Sequence, residues 1–141
     1  ASKRIAPERL TPLELADALE TDSRTALKLT QTVASQPDRR PGALDFEIDD
    51  VRTWSHLGLY FAEKLRAGVA LETFRRTKTV AQRATAVKHL ETAAAQWAAV
   101  VKLTSLHYNN VPLVHTGKRK FSWKSFTSDV QRDIQTARDA K

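Results

Sequence analysis

Histidines and carboxylates are the side chains in this sequence most often used for metal binding or catalysis, and their spacing favours neither role. The four histidines are His56, His89, His107 and His115, and none belongs to an HxxxH or HExxH pattern. The chain has no cysteine, no glycine-rich phosphate loop and no GxSxG turn. The sequence therefore predicts no catalytic residue, no metal site and no cofactor, and hence a protein that is not an enzyme.

A row of polar side chains on the second predicted helix is a candidate binding surface. Arg52, His56, Tyr60 and Lys64 follow one another at four-residue steps, so they share one face of a helix. Their hydrogen-bond donors and single aromatic ring suit a sugar or a phosphate group. The alternative is that this row faces a neighbouring helix, and the sequence leaves both interpretations open.

A long connection, residues 109–121, is the second candidate binding segment, because long loops carry function more often than helices do. Its candidate ligand-binding residues combine basic, imidazole and amide groups: Asn110, His115, Lys118, Arg119 and Lys120. Arginine and lysine there can contact sulfate or carboxylate groups. Trp123 follows at the start of a helix and is the tryptophan that we expect to be exposed. The alternative is a solvated loop without a ligand.

The balance of charge indicates an anionic partner. Twenty-three Lys and Arg residues oppose 16 Asp and Glu residues, which gives a formal net charge of +7. Such an excess attracts polyanions, among them nucleic acids, acidic membranes and acidic glycans. No apolar run approaches the roughly 18 residues of a membrane span, so no membrane partner is expected. No helix carries the arginine-dense face of a nucleic-acid reader, so nucleic acid is the least favoured polymer.

Helices must position these residues. The composition, with 41% hydrophobic residues, four glycines and five prolines, favours helices over a β-sandwich. Residues 11–14 form a capping box with proline at the first helical position, and the Pro- and Gly-containing residues 37–42 end that helix. The second helix begins near Asp45 or Asp49 and runs to about Arg75.

Two further helices complete the predicted fold. Thr79 opens a third helix that reaches about His107, and Ser122 caps a fourth. A short connection between two long helices implies that they are antiparallel. The sequence therefore predicts an all-α, antiparallel up-down helical bundle of about four helices, two of them long, with residues 1–141 forming a single domain.

Apolar periodicity predicts which faces point inward. On the first helix the inward positions are Leu15, Leu19, Ala26, Leu29 and Val33. On the second they are Val51, Trp54, Phe61, Leu65 and Val69. On the third they are Val80, Ala84, Val87, Leu90, Ala94, Trp97 and Val101. Trp54 and Trp97 are thus expected in the core, and Gly58 is expected to mark a close helix contact.

The segment 54–71 resembles part of the helical C-terminal region of large secreted bacterial polysaccharide-degrading proteins, either lyases or glycoside hydrolases. The matching residues are Tyr60, Phe61, Ala62, Lys64, Leu65, Arg66 and Gly68. Similar stretches recur at 86–97 and 129–134, so the resemblance covers about residues 45–138. It implies an accessory helical domain, excised from a larger bacterial protein that is secreted, periplasmic or on the cell surface.

Charge and resemblance together predict a non-catalytic carbohydrate-binding module. Its partner would be an anionic polysaccharide, either a sulfated glycan such as a glycosaminoglycan or a uronic-acid glycan, and it would target an attached catalytic domain to that polymer. The alternative is a purely structural spacer that buttresses the neighbouring catalytic domain. Binding of nucleic acid is a third and weaker alternative.

Overall fold

Four helices make up most of the computed structural model, which describes residues 10–37, 42, 44–107, 111–112 and 120–141. The helices are α1 (Pro12–Ala34), α2 (Asp45–Thr77), α3 (Val80–His107) and α4 (Thr127–Arg138). Strands β1 (Val111–Pro112) and β2 (Lys120–Phe121) pair antiparallel, and a 3₁₀ turn (Trp123–Phe126) leads into α4. The predicted all-α bundle, with two long central helices and two shorter flanking ones, is confirmed.

The predicted capping box opens α1. The Thr11 hydroxyl accepts the Glu14 backbone N–H, and the Glu14 carboxylate accepts the Thr11 backbone N–H. Two of the backbone donors exposed at a helix start are thereby satisfied, which fixes where α1 begins. This local feature was fully predictable from the sequence.

The predicted cap of the last helix differs from the observed one. Ser122 precedes the 3₁₀ turn, but its side chain makes no capping hydrogen bond. Its backbone carbonyl instead accepts both the backbone N–H and the hydroxyl of Ser125. The α-helix itself begins only at Thr127. The prediction of a side-chain cap by Ser122 was wrong because a turn of tighter pitch precedes α4.

The pair α2 and α3 forms an antiparallel hairpin joined by Lys78 and Thr79. Lys78 adopts a left-handed conformation (φ 56°) and donates its backbone N–H to the Phe74 carbonyl at 2.7 Å, which ends α2. The Arg83 guanidinium lies 5.3 Å from the centroid of the Phe74 ring. The hairpin is therefore closed by a backbone hydrogen bond and a cation–π contact.

The core lies where α2, α3 and α4 meet, in two apolar clusters. The first cluster contains Leu57, Tyr60, Ala93, Trp97, Val100 and Val130, with Trp123 packed against it. The second contains Ala67, Leu90, Ile134 and Ala137. Each cluster takes residues from all three helices, so α4 is held against the central hairpin by its inner face.

Helix α1 packs on α2 through a seam of small residues. Its buried positions are Ala16, Ser23 and Thr30, at seven-residue intervals typical of a helix–helix seam. Gly58 of α2 lies so close to this seam that a Cβ atom placed on it would clash with the Ser23 hydroxyl oxygen. The predicted close contact at Gly58 is confirmed, and it lets the two backbones approach.

Several predicted inward positions are exposed instead. On α1, Leu15 is 39% and Leu29 is 61% exposed. On α2, the exposed fractions of Val51, Trp54 and Phe61 are 44%, 65% and 53%. On α3, the outward residues are Val80 and Ala84. The predicted core position of Trp54 was therefore wrong, because α2 turns other residues towards α1 and α3.

A chain of charged contacts ties the three longest helices together. Arg66 of α2 contacts Asp17 and Glu20 of α1 at 2.7 and 2.6 Å, and Glu63 of its own helix at 3.1 Å. Glu63 in turn contacts the Nδ1 atom of His89 on α3 at 2.6 Å. The hydrogen bond with Asp17, despite some desolvation, raises the pKa of Arg66 above its ordinary value. Arg66 is thus the charged link between α1 and the central hairpin.

The two helical glycines of α2 provide a test of this packing. We expect Gly58→Ala to give little or no stabilisation of the parent, because the Ser23 side chain must leave its rotamer at a cost of about 1 kcal/mol, which offsets the helix-propensity gain of alanine. In a Ser23→Ala background the same change should stabilise by up to about 1 kcal/mol, the helix-propensity gain of alanine. Gly68→Ala is the matched control, since nothing lies within 4 Å of its added Cβ. Urea denaturation measures the stability of each variant. If Gly58→Ala and Gly68→Ala stabilised the parent, in which Ser23 is intact, by the same amount, this would contradict the close contact.

The pairing of Glu20 predicts a defined dependence of stability on pH. Two hydrogen bonds hold the pKa of Glu20 below its ordinary value of 4.5. The larger effect comes from Arg24 and the smaller from Arg66. The stabilisation is therefore present above about pH 4.5 and is lost as the pH falls through the lowered pKa. Glu20→Gln should cost less than about 1 kcal/mol at neutral pH, because solvent screens the pair. The difference in stability between Glu20→Gln and the parent should shrink in acid.

Thermal unfolding measured from pH 7 to pH 3 checks this expectation. Glu72→Gln is the control, because Glu72 and Arg76 form a pair that is 61% and 72% exposed and 3.9 Å apart. If the difference in thermal stability between Glu20→Gln and the parent grew in acid, the contacts of Glu20 with Arg24 and Arg66 would not depend on an ionised carboxylate.

Candidate functional site

An aromatic groove of about 650 Å³ runs along one side of the bundle, between α2 and α4. Helix α4 packs mainly on α3, so a cleft remains beside α2. The lining residues are Trp54, Leu57, Tyr60, Phe61, Lys64, Trp97, Phe121, Trp123, Phe126, Asp129, Val130 and Asp133. Its volume falls within the roughly 300–1,000 Å³ range of small-molecule sites.

Helical spacing places the lining residues of each groove wall on one face of its helix. On α2, Trp54, Leu57, Phe61 and Lys64 follow at steps of three and four residues, so they lie along one face. On the opposite wall, Phe126 and the following α4 residues Asp129, Val130 and Asp133 repeat the same steps. The walls are therefore parts of regular elements, which hold their side chains in fixed relative positions.

The floor of the groove is a chain of ring contacts. The Trp97 ring lies 5.2 Å from Tyr60 and 5.8 Å from Trp123, measured between centroids. Phe121 continues the chain, 5.3 Å from Trp123 and 5.9 Å from Phe126. These are tilted and edge-to-face arrangements, the favourable geometries for aromatic pairs. Strand β2 thus supplies one lining ring of the groove, that of Phe121.

Three rings of the groove remain open to solvent. Trp54, Phe61 and Phe126 are 65%, 53% and 43% exposed. Trp54 also lines a smaller cavity of about 240 Å³, shared with Asp50, Thr53 and Thr104 among others. Adjacent exposed aromatic rings form an apolar patch of the kind that marks a binding surface.

Charged side chains line the same groove. The Lys64 ammonium donates a hydrogen bond to Asp133 at 2.5 Å and lies 5.6 Å from the centroid of the Tyr60 ring. Partial burial opposes the Lys64 charge, but the bond to Asp133 and neighbouring charges outweigh it, so the pKa of Lys64 is raised above 10.5. Asp129 pairs with Arg132 at 2.8 Å. The groove therefore offers two carboxylates and one ammonium beside its rings.

Trp97 also carries an indole N–H that is enclosed beside the floor of the groove. Its side chain is 7% exposed, and within the described ranges the Nε1 atom has no hydrogen-bond partner. Buried donors are normally satisfied, so this is a local cost in free energy. The ring contributes packing area at the point where α2, α3 and the 3₁₀ turn meet.

The structure divides the row of four polar residues predicted on α2. Tyr60 and Lys64 line the groove, although Tyr60 is only 7% exposed. Arg52 bonds instead to Asp49 at 3.2 Å, and the Nδ1 atom of His56 lies 2.8 Å from the Gln96 amide oxygen on α3. Three of the four residues therefore contact a neighbouring helix, as in the alternative interpretation, whereas Arg52 pairs within α2.

The second candidate segment, residues 109–121, contributes its last residue, Phe121, to the lining of the groove. Trp123, expected to be exposed, is half-buried in the groove wall. Lys120 lies in β2 next to Phe121. The remaining predicted residues, Asn110, His115, Lys118 and Arg119, lie outside the described residues.

Sequence reasoning missed several residues of the groove. The missed residues, which line it together with Tyr60, Lys64 and Trp123, include Trp54, Phe61, Phe126, Asp129 and Asp133. Trp54 and Phe61 were assigned to the core from their periodicity alone. An available signal was that Phe126, Asp129 and Asp133 place an aromatic ring and two carboxylates on one helical face, which a buried face rarely carries.

Other classes of site were sought in the same residues. Within the described ranges, no group of three or more His, Asp or Glu side chains is arranged to hold a metal ion. None of the described helices combines the length and apolarity needed to cross a bilayer.

Comparison with known proteins found no relative of this chain. No protein-family model, no curated protein and no solved structure matches the chain.

The contrast between two tryptophans tests the placement of the groove. We expect Trp54→Ala to change the free energy of unfolding by less than about 0.5 kcal/mol, because the ring is largely exposed. Trp97→Ala should cost about 3–5 kcal/mol, the usual loss for a large buried ring. Denaturant unfolding measures both values, and Trp97→Phe provides a milder variant if the alanine does not fold. Similar losses at the two positions would contradict the exposure of Trp54.

Proposed function

We propose that this domain is a non-catalytic carbohydrate-binding module that recognises an anionic polysaccharide and targets an attached degradative enzyme to it. The observation that carries the proposal is the aromatic groove between α2 and α4, with Trp54, Phe61 and Phe126 open to solvent. The flat faces of such rings pair with the apolar face of a sugar ring. Carboxylates and the Lys64 ammonium beside them bind hydroxyl groups.

The net charge supports an anionic glycan rather than a neutral one. The formal charge is +7, and Lys118, Arg119 and Lys120 directly precede Phe121, a lining residue of the groove. Multiple ionic contacts would add to the contacts made by the rings. Their contribution should fall as salt screens them, whereas stacking contacts should persist. Salt dependence can therefore separate the two parts of the binding energy.

The resemblance to accessory regions of secreted polysaccharide-degrading proteins supports the same proposal. In this proposal the domain is part of a larger bacterial protein that is secreted, periplasmic or on the cell surface. Its partners are the polysaccharide and the attached catalytic domain. Nucleic acid remains the least favoured polymer, because no helix of the sequence carries an arginine-dense face.

A second candidate function is that of a structural spacer that buttresses the attached catalytic domain. The exposed apolar residues of α2 favour it, since Val51, Trp54 and Phe61 form an outward row that another domain can cover. In that case the same rings would be buried by protein, and the isolated domain would bind no glycan.

Titration with a panel of neutral, uronic and sulfated polysaccharides, and with DNA, at low and near-physiological salt separates these functions. We expect selective binding of an anionic glycan that survives at the higher salt. Trp54→Ala should weaken it by roughly tenfold, equivalent to about 1.4 kcal/mol. Phe46→Ala is the matched control, because Phe46 is a 47% exposed ring on the same helix outside the groove.

Two results would contradict the proposal. The first is binding to none of the polysaccharides, which would favour the spacer. The second is equal, salt-sensitive binding to every polyanion including DNA, which would reduce the interaction to net charge. A Trp54→Ala effect no larger than that of Phe46→Ala would remove the groove from the binding site.

A further inference from the structure

The apolar residues of α1 are not the ones that pack on α2. The buried positions of α1 are small or polar: Ala16, Ser23 and Thr30. The apolar stripe of α1 follows a separate pattern of three-, four- and seven-residue steps, and all its members are at least partly exposed: Leu15, Leu19, Ala26, Leu29 and Val33. An amphipathic helix ordinarily buries its apolar stripe. Within the described ranges, no helix covers this one.

Helix α2 extends the same open surface. A cavity of about 290 Å³ near the end of α1 is lined by residues of both helices, among them Leu29 and Val51. A second cavity of about 400 Å³, near the start of α1, is lined by Pro12 together with Leu65 and Val69. The two helices therefore share one open apolar flank. We call it the α1–α2 face and define it as the apolar stripe of α1 with Val51, Leu65 and Val69 of α2.

The α1–α2 face is distinct from the other surfaces of the helix pair. The opposite flank is charged, and there Arg66 bonds to Asp17 and Glu20 across the two helices. The aromatic groove lies farther round α2, towards α4, and none of the residues of the face lines it. The face is thus neither part of the ionic network nor part of the groove.

The size of the α1–α2 face matches the surface that each subunit of a stable dimer buries. Its α1 part runs along most of the 23 residues of that helix, which span about 35 Å. Two helices packed side by side present a surface about 20 Å wide. The face therefore offers roughly 700 Å² per copy, compared with about 800 Å² per partner in a standard protein–protein interface.

The α1–α2 face is also complementary to itself. Leu29 and Val51 line one cavity and thus lie at the same level along the helix pair. A two-fold axis parallel to the helices would place α1 of each copy on α2 of the other, with Leu29 of one copy opposite Val51 of the other. Asp22, the one charged residue within the stripe, would then lie opposite Gly58, because its neighbour Ser23 meets Gly58 within one copy.

We infer that the α1–α2 face is a homodimer interface, occupied by the same face of a second copy about this axis. Each α1 then packs on one α2 of its own copy and one of the other copy, which gives an antiparallel four-helix arrangement. An axis across the helices is disfavoured, because it would place Asp22 against its own copy. The inference does not rest on the proposed function, since no ligand takes part in it.

Sedimentation of the whole chain over a wide range of concentration tests the dimer. We expect a monomer–dimer equilibrium, and Leu29→Glu should raise its Kd by at least about tenfold, because a charge would be buried in the interface. Leu106→Glu is the matched control, since Leu106 on α3 is 64% exposed and Leu29 is 61% exposed. Circular dichroism and urea unfolding of the dilute chains check that both variants fold.

The salt dependence separates an apolar interface from association through charge. Two copies that each carry a formal +7 repel one another, so the dimer should become tighter as salt screens this repulsion. A dimer that dissociated on addition of salt would contradict an apolar interface.

A pair of complementary variants tests the axis. Leu29→Glu and Val51→Lys should each weaken the dimer of identical chains. A mixture of the two variants should form mixed dimers more tightly than either variant pairs with itself, because the axis brings the new carboxylate and the new ammonium together. Mixed dimers no tighter than those of the single variants would overturn this arrangement.

Two further results would overturn the homodimer itself. One is a monomer at every concentration, which would leave the α1–α2 face to another segment or domain. The other is equal weakening of the dimer by Leu29→Glu and Leu106→Glu, which would place the interface elsewhere. These measurements contain no polysaccharide, so their failure would leave the proposed function to its own test.

Discussion

The division of the α2 surface among its neighbours is the constraint on which the rest of the structure depends. One face of this helix packs on α3 through Leu57 and Tyr60, and another packs on α1 where Gly58 meets Ser23. Only a few neighbouring helices can cover the surface of one helix, and α4 packs mainly on α3 rather than on α2. A third face, carrying Trp54 and Phe61, is therefore left without a helix on it, and this is the wall of the groove.

The contacts that fix α2 also fix the geometry of the groove. Arg66 and Glu63 tie α2 to α1 and α3, while Lys64 reaches Asp133 on α4. These bonds span different helices, so together they oppose rotation of α2 about its axis. Beneath the open rings, Trp97 packs between Tyr60 and Trp123. The exposed aromatic surface thus rests on buried rings of the core, which favours a preorganised surface.

The carboxylates of the groove are a consequence of the same arrangement. On α4, Val130 and Ile134 point into the core, so the residues directly before them, Asp129 and Asp133, lie towards its sides. One of those sides is the groove. The charged side chains of the groove are therefore placed by the packing of the apolar residues beside them.

The sequence by itself determined the helices, their approximate ends and the antiparallel hairpin. These follow from local features, such as the capping box at Thr11 and the short connection at Lys78 and Thr79 between two long helices. It did not determine which apolar residues are buried, and Trp54 was assigned to the core although it is 65% exposed. Periodicity shows that a helix has an apolar face, but α2 has apolar residues on several faces. Only the positions of α1, α3 and α4 decide which of those faces is covered and which one is left to form a site.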